Sequence, residues 1–210
     1  MVQFNIGGIT LGTQRDHWWD YLTPFDTFTG ANGSAPDSSK WDTAVAGTNP
    51  GTVTIQNNTC ILYNYAPAST STNTSSATLI LKNAITSGKI LLIFTPDDKY
   101  AGEEYDYGQC YTQVSVGNDT DGWTVIETTN LTLDKDSDDT TATANSLSSS
   151  IEAIYQGNNN WNIYIGNNPY ASNPKSLPNG LKVKIYSYTQ GGDNTSNSSQ
   201  YFYINTAYIL

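Results

Sequence analysis

Short stretches in which apolar and polar residues alternate recur along the chain, separated by turn-forming residues. This two-residue period is that of a half-buried β-strand. Asn57-Asn58, Asn179-Gly180 and Gly157-Asn158-Asn159 favour tight hairpins between such strands. We predict strands at residues 51–56, 59–65, 77–82, 88–95, 109–116, 122–127, 129–133, 149–155, 160–166, 180–189 and 200–209. The pattern predicts an all-β protein, an antiparallel two-sheet β-sandwich of the jelly-roll type.

The length of 210 residues suits one sandwich domain. Residues 25–210 are predicted to form this domain, and residues 1–24 an N-terminal arm or edge strand that reaches a neighbouring subunit. The polar stretches 66–76 and 190–199 are predicted to be exposed loops.

The net charge of −10 is concentrated in one part of the chain. Residues 97–139 hold 12 of the 19 acidic residues and only two lysines. Without a basic stripe, nucleic acid is not expected as a partner. The acidic stretch either binds divalent cations or forms a solvated rim that keeps the protein soluble.

Localisation is predicted from what the sequence lacks and from its surface chemistry. The start MVQFNIGGIT has no basic and apolar leader, and no apolar run is long enough to span a membrane. Seven Asn-x-Ser/Thr sequons and a neutral polar composition indicate a virion surface or an extracellular location. A signal peptide trimmed from the sequence is the alternative explanation.

The two cysteines allow two interpretations. A Cys60–Cys110 disulfide would close a loop of 50 residues, worth about 4 kcal/mol in the chain-entropy model. Two buried free thiols are equally ordinary.

The segment FDTFTGANGSAPDSSKW places aromatic residues on both sides of a small-residue turn. It runs from Phe25 to Trp41 and is followed by residues 51–62, a Gly-x-Val-x-Ile-x-Asn-Asn strand pair ending in Leu62. Later, residues 151–165 read as a hairpin and residues 181–209 as a closing strand pair. In this order the segments resemble the concanavalin A-like, or laminin-G-like, lectin and glucanase jelly rolls, including those of viral structural proteins. The resemblance implies that Phe25, Phe28 and Trp41 are core residues.

That superfamily includes retaining glucanases, whose strand motif is Glu-x-Asp-x-x-Glu and whose two catalytic carboxyls stand about 5–5.5 Å apart. Glu104 and Asp106 match the first two positions, but Gln109 stands where the resemblance places the acid/base. An amide cannot transfer that proton, so the resemblance implies a disabled site; a chance match within an acidic loop is the alternative. We predict that the chain is not an enzyme. A glycosidase would instead lose activity when Glu104 is changed.

Aromatic residues are the candidates for glycan contacts, since rings stack on sugars and polar tips bond their hydroxyls. The same residues could serve as core or subunit contacts. His17 is the only histidine, so a zinc site or a Ser-His-Asp triad would depend on it alone. The candidate glycan-binding residues are Trp18, Trp19, Tyr105, Tyr107 and Trp123.

No cofactor is predicted to be required, and calcium is the candidate metal. Carboxylates at alternate positions resemble those of calcium-binding loops, although the Gly and final Glu of an EF-hand are missing. A solvated loop is the alternative. The candidate ligands are Asp134, Asp136, Asp138 and Asp139.

These features together predict a non-enzymatic virion structural protein of a phage or archaeal virus: a capsid decoration, spike or tail-associated subunit. Its partners would be other virion or filament subunits in a homo-oligomer, with surface glycans as a further partner class and no membrane insertion. One alternative is a secreted, calcium-dependent carbohydrate-binding module. The other is a subunit of an extracellular filament or sheath.

Overall fold

The computed structural model describes residues 18–67, 73–96, 109–132, 149–191 and 198–210. One 3-10 helix, Trp18–Tyr21, precedes thirteen strands in these segments. The strands are β1 Trp41–Ala46, β2 Thr52–Gln56, β3 Thr59–Ala66, β4 Thr74–Leu81, β5 Lys89–Pro96, β6 Gln109–Asn118, β7 Gly122–Thr132, β8 Ser150–Gly157, β9 Asn160–Ile165, β10 Asn168–Pro169, β11 Lys175–Ser176, β12 Lys182–Gln190 and β13 Ser198–Ile209.

The strands form two antiparallel sheets that enclose one apolar core. The five-stranded sheet has the order β1-β4-β12-β6-β7. The eight-stranded sheet has the order β10-β9-β8-β5-β13-β3-β2, and β11 also pairs with β9. The predicted two-sheet antiparallel sandwich is therefore confirmed.

Alternation along the strands builds the core, as the sequence pattern predicts. In β12, Val183, Ile185 and Ser187 are buried, while Lys184, Tyr186 and Tyr188, which alternate with them, are partly exposed. Successive side chains of a strand point to opposite faces, so every second residue reaches the core. The largest fully buried side chains are Trp161, Phe28, Phe94 and Phe202.

Two of the three predicted hairpin turns have the expected backbone, whereas Asn179-Gly180 lies between β11 and β12, which pair with other strands and not with each other. Asn57 and Asn58 have φ of 51° and 57° between β2 and β3, and Asn158 and Asn159 have φ of 52° and 62° between β8 and β9. Two successive positive φ angles are the mark of a type I′ turn, which asparagine tolerates better than other non-glycine residues. The turn chemistry thus sets the register of both hairpins.

The aromatic segment before β1 is held by one buried carboxylate. Asp26 accepts hydrogen bonds from the Trp41 indole Nε1 and the Phe28 backbone nitrogen, both at 2.8 Å, and Lys40 Nζ lies 3.8 Å away. The Trp41 ring packs 5.4 Å from Phe28 and 6.1 Å from Phe25, measured between centroids. Phe28 and Trp41 are buried and Phe25 is partly buried. The segment therefore anchors the start of β1 to the core.

Polar side chains also occupy part of the space between the sheets. Asn64 of β3 donates from Nδ2 to the Ser187 hydroxyl of β12 at 2.7 Å. The Gln200 amide of β13 lies 3.1 Å from both the Ser187 and the Thr112 hydroxyls. This network crosses from one sheet to the other and is mutually hydrogen-bonded, which offsets the cost of burying its members.

Both cysteines are free and buried, on strands of different sheets: Cys60 on β3 and Cys110 on β6. Burial raises the pKa of Cys60 to about 12 and that of Cys110 to about 11, so both thiols stay protonated at neutral pH. The structure thus has the free-thiol arrangement rather than the disulfide.

Several predicted boundaries differ from the structure. The two strands predicted at 122–127 and 129–133 are one strand, β7, whose pairing with β6 contains a bulge between Val114 and Ser115. β1, β10 and β11 were absent from the sequence prediction.

In the part of the chain that is described, no helix has the length and apolarity to cross a membrane. The proposed arm, residues 1–24, lies mostly outside the described residues and stays a prediction.

Candidate functional site

Tyrosines cluster on the outer face of the five-stranded sheet, where β6 and β12 lie side by side. Tyr111 is paired in register with Tyr188, and Gln113 with Tyr186. Their neighbours along both strands are buried in the core, so these four residues face outward, and each is partly exposed. We call Tyr111, Gln113, Tyr186 and Tyr188 the tyrosine face.

The three tyrosine rings of this face contact one another. Ring centroids are 5.0 Å apart for Tyr111 and Tyr188, 5.9 Å for Tyr111 and Tyr186, and 6.4 Å for Tyr186 and Tyr188. The Tyr188 hydroxyl donates to Gln190 Oε1 at 3.2 Å. Burial raises the pKa of Tyr111 to about 12, helped by the neighbouring Tyr186, and burial also raises the pKa of Tyr188. The hydroxyls of Tyr111 and Tyr188 therefore remain protonated donors at neutral pH.

An indole and an amine lie further along the same face. Lys184, two residues before Tyr186, lies 4.2 Å from the centroid of the Trp123 ring, a cation–π contact. The Trp123 Nε1 donates to Asp119 Oδ1 at 3.1 Å. Burial lowers the pKa of Lys184, while the charge of Asp119 opposes that change. Beside the uncharged tyrosine face, the same side of the sheet therefore presents the Trp123 ring with the Lys184 amine over it.

Hydrogen bonds fix the turn beside Trp123. Asn118 Nδ2 donates to Asp121 Oδ2 and to the Gly180 carbonyl, both at 2.7 Å. Asp121 also accepts from the backbone and side-chain nitrogens of Asn179, at 2.9 and 2.7 Å. The Asn118 bond, followed by those of Asn179, lowers the pKa of Asp121. These bonds tie the β6–β7 turn to the loop before β12, which holds Trp123 against Lys184.

At the other end of the face, β6 begins at Gln109. Its backbone pairs in register with Gln190 of β12 and Thr132 of β7. Gln109 comes two residues before Tyr111, so the position at which the resemblance to retaining glucanases would place the acid/base lies at the start of the strand that carries the tyrosine face. Glu104 and Asp106, which precede it in sequence, lie outside the described residues.

The residues predicted to bind glycans fall in three groups. Trp123 lies on the sheet face just described, whereas Trp18 and Trp19 belong to the short helix before Phe25, with Trp19 partly buried. Tyr105 and Tyr107 lie outside the described residues, as do His17 and all four proposed calcium ligands, Asp134, Asp136, Asp138 and Asp139. Within the described segments, no three His, Cys, Asp or Glu side chains gather into a candidate metal site.

Sequence reasoning missed Tyr186 and Tyr188, which carry much of the tyrosine face. The stretch KVKIYSYTQ did contain a signal, because two tyrosines two residues apart in an alternating strand share one face. Their meeting with Tyr111 depends on the pairing of β12 with β6, which the pattern does not specify.

The environment of Tyr111 predicts that the stability of the fold depends on pH. Its pKa in the folded state, about 12, exceeds the ordinary value of about 10. The folded chain therefore binds more protons than the unfolded chain in this window, and stability decreases as the pH rises from about 10 to 12. We expect Tyr111→Phe to lose stability less steeply than the wild type in urea unfolding experiments between pH 9 and 12. Identical slopes for the two proteins would contradict the assignment.

Comparisons with known proteins show similarity at the level of structure. No family model matches the sequence, and no curated protein matches it significantly. An uncharacterized protein from Mycobacterium paratuberculosis aligns with a TM-score of 0.51 and 16% identity, over 88% of this chain and 98% of that one. A protein from Mycobacterium abscessus with the provisional name of a beta-glucanase aligns with a TM-score of 0.53 and 13% identity, over the same shares of the two chains.

These similarities correct the sequence-based prediction of function. The fold is a jelly-roll sandwich like that of beta-glucanases, and nothing in the comparisons indicates a viral origin. The predictions of a virion structural protein and of a chain without enzymatic activity are wrong, because the chain shares its fold with a Mycobacterium abscessus protein that carries the provisional name of a beta-glucanase. The physical reason for the error is that a neutral surface rich in Tyr, Thr and Asn suits glycan contact as well as it suits a virion surface. At these identities the similarity establishes the fold, and the chain has the sandwich architecture of beta-glucanases.

Proposed function

We propose that this chain is a carbohydrate-active protein that binds a neutral β-linked glucan over the tyrosine face and hydrolyses it at the start of β6. The observation that carries the proposal is the cluster of Tyr111, Tyr186 and Tyr188 on an outward sheet face. The strand bearing Tyr111 begins only two residues earlier, at the last position of the glucanase-like motif.

The chemistry of the tyrosine face suits an uncharged sugar polymer. Aromatic side chains bind the apolar faces of sugars, and phenolic hydroxyls bond their hydroxyl groups. Gln113 adds an amide with both donor and acceptor capacity. Tyr111, Gln113, Tyr186 and Tyr188 are all residues without a formal charge, so a neutral ligand displaces no ionic solvation by binding there.

The hydrolytic half of the proposal rests on the sequence next to this face. By resemblance to retaining glucanases, Glu104 would be the nucleophile and Asp106 its neighbour in the motif, with Gln109 at the acid/base position. Without a carboxyl there, the leaving-group oxygen receives no proton from residue 109. We expect slow cleavage of natural glucans and faster cleavage of aryl β-glucosides, whose leaving groups need little protonation. The name of the Mycobacterium abscessus protein supports β-glucans as the first substrates to test.

Removing one ring tests the binding half of the proposal. Tyr188→Ala is expected to weaken binding of a β-glucan hexasaccharide to this face about tenfold, since one aromatic contact of this kind corresponds to roughly 1–1.5 kcal/mol. Isothermal titration with β-1,3- and β-1,4-linked hexasaccharides measures the change.

Val45→Ala is the matched control, because it removes an exposed apolar side chain from β1, away from the tyrosine face. Its affinity should equal that of the wild type. Unchanged affinity of Tyr188→Ala for every hexasaccharide that the wild type binds would rule out the tyrosine face as the binding site.

A further inference from the structure

A second tyrosine cluster lies on the outer face of the eight-stranded sheet. Tyr63 of β3 pairs in register with Tyr201 of β13, and their ring centroids are 4.5 Å apart. Tyr201 and Tyr203 are 6.2 Å apart and nearly parallel, with 10° between the ring planes. Leu62 and Phe202, which alternate with these residues, are buried in the core. The cluster therefore faces away from the core, on the side of the sandwich opposite the tyrosine face.

The strands that carry this cluster contain no charged residue. β2, β3 and β13 are adjacent in the sheet, and none of them includes Asp, Glu, Lys or Arg, although the chain has 28 such residues. The exposed Thr52 of β2 pairs in register with Tyr63, and Thr95 of β5 pairs with Tyr203. Hydroxyl groups thus flank the rings on both sides. A neutral, hydroxyl-bearing surface in a chain of net charge −10 matches a neutral polymer better than an ionic ligand.

A protein partner fits this surface less well than a glycan. Among the described residues, the exposed large hydrophobic side chains are Val45, Val125, Tyr201 and Leu210, and Tyr201 is the one that belongs to the cluster. The core of a protein–protein interface buries apolar side chains, and this surface offers few of them. Rings with phenolic hydroxyls, in contrast, are the groups that recognise sugars.

The Tyr63 hydroxyl keeps its proton. Burial raises the pKa of Tyr63, and the adjacent Tyr201 raises it further. Tyr63 therefore remains a hydrogen-bond donor well above neutral pH.

We propose that Tyr63, Tyr201 and Tyr203 form a second carbohydrate-binding surface, which takes a neutral polysaccharide and is separate from the tyrosine face. The ligand class is that of the proposed function, on which this inference rests. Two binding surfaces on opposite sides of one rigid sandwich engage two polysaccharide chains or two parts of one chain. Retention on an insoluble glucan then exceeds what either surface provides alone.

The experiment compares single variants of the two surfaces. In isothermal titration with a β-glucan hexasaccharide, the wild type is expected to show two sites. Tyr201→Ala weakens one of them about tenfold and leaves the other unchanged, Tyr188→Ala does the converse, and the double variant weakens both about tenfold. Retention on insoluble β-glucan particles decreases in each single variant, and Val45→Ala serves as the control for both assays.

A second variant keeps the test independent of ring packing. Thr52→Lys leaves all three tyrosines in place and adds a charge beside Tyr63 on an exposed position, and it should weaken the same site as Tyr201→Ala. Circular dichroism and thermal melting verify that each variant is folded.

The outcomes separate this inference from the proposed function. If Tyr201→Ala and Thr52→Lys left both binding sites and the retention on particles unchanged, the second surface would be overturned. Weaker binding by Tyr188→Ala would still support the tyrosine face in that case. Loss of one site in Tyr201→Ala with no effect of Tyr188→Ala would support the second surface and overturn the first. Sedimentation showing a wild-type dimer that Tyr201→Ala converts to a monomer would make the cluster a self-association surface and overturn the inference. Absence of wild-type binding to any β-glucan would refute both proposals.

Discussion

Gln109→Glu is expected to increase the rate of β-glucan hydrolysis at least 10²-fold. The substitution supplies a carboxyl at the position that the glucanase motif assigns to the acid/base, at the start of β6. General acid–base catalysis by a positioned side chain contributes roughly 10²–10⁴-fold. The measurement is the release of reducing ends from a β-glucan hexasaccharide by the wild type and the variant.

The leaving group separates a catalytic effect from a structural one. An aryl β-glucoside with an acidic phenol needs little protonation of its leaving oxygen, so its first bond cleavage should accelerate much less in Gln109→Glu than cleavage of the hexasaccharide. Gln109→Asp, with a shorter carboxyl, is the matched control and should gain less. Glu104→Gln in the Gln109→Glu background should remove the added activity, because the proposed nucleophile is then an amide. Equal rates for the wild type and Gln109→Glu on every substrate would contradict the proposed hydrolytic centre.

Asp26→Ala is expected to destabilise the fold by about 3 kcal/mol. The Asp26 side chain is almost completely buried and accepts from the Trp41 indole and the Phe28 backbone nitrogen. Its removal leaves two buried donors without this acceptor, and each orphaned donor costs about 1–3 kcal/mol. Urea unfolding at neutral pH measures the free-energy change.

A double-mutant cycle with Trp41→Phe tests whether the indole bond carries the effect. Phenylalanine keeps a ring against Phe25 and Phe28 but removes the Nε1–H donor. Groups in direct contact couple by about 0.5–3 kcal/mol, so the double variant should be more stable than the sum of the single changes predicts. Asp42→Ala is the control, since it removes only an exposed ion pair with Lys82, worth at most about 1 kcal/mol. Additive effects in the cycle, or equal costs for Asp26→Ala and Asp42→Ala, would show that Asp26 does not anchor Trp41.

The positions of most strands were predictable because the information they need is local. A strand with one buried face repeats its apolar residues every second position, and most predicted strands coincide with observed ones within a few residues. β1 was not predicted, and the reason is physical. It is an edge strand in which only Trp41 is buried and the five following residues are exposed, so it has no apolar alternation to detect.

Trp123 illustrates why the site was only partly predictable. It was singled out for lying in an acidic stretch of sequence, yet its contacts in the structure are with Asp119 nearby and with Lys184, sixty-one residues further along the chain. Tyr186 and Tyr188 were not singled out at all, because no acidic or aromatic cluster surrounds them in sequence. The prediction of a virion subunit was wrong for the same reason. Composition describes how much neutral polar surface a chain has, but not which residues lie together on that surface.

The sequence by itself determined the strand-rich class and the hairpin turns at the asparagine pairs, and its resemblance to lectin and glucanase jelly rolls implied the core roles of Phe28 and Trp41. The strand pattern and the turns depend on side chains within a few residues of one another. Only the tertiary structure decided that Asp26 holds Trp41, that Tyr111 meets Tyr186 and Tyr188, and that Tyr63 meets Tyr201 on the opposite side. Those contacts depend on which strands pair and in what register, and pairing between distant strands is set by the burial of the whole core rather than by local pattern.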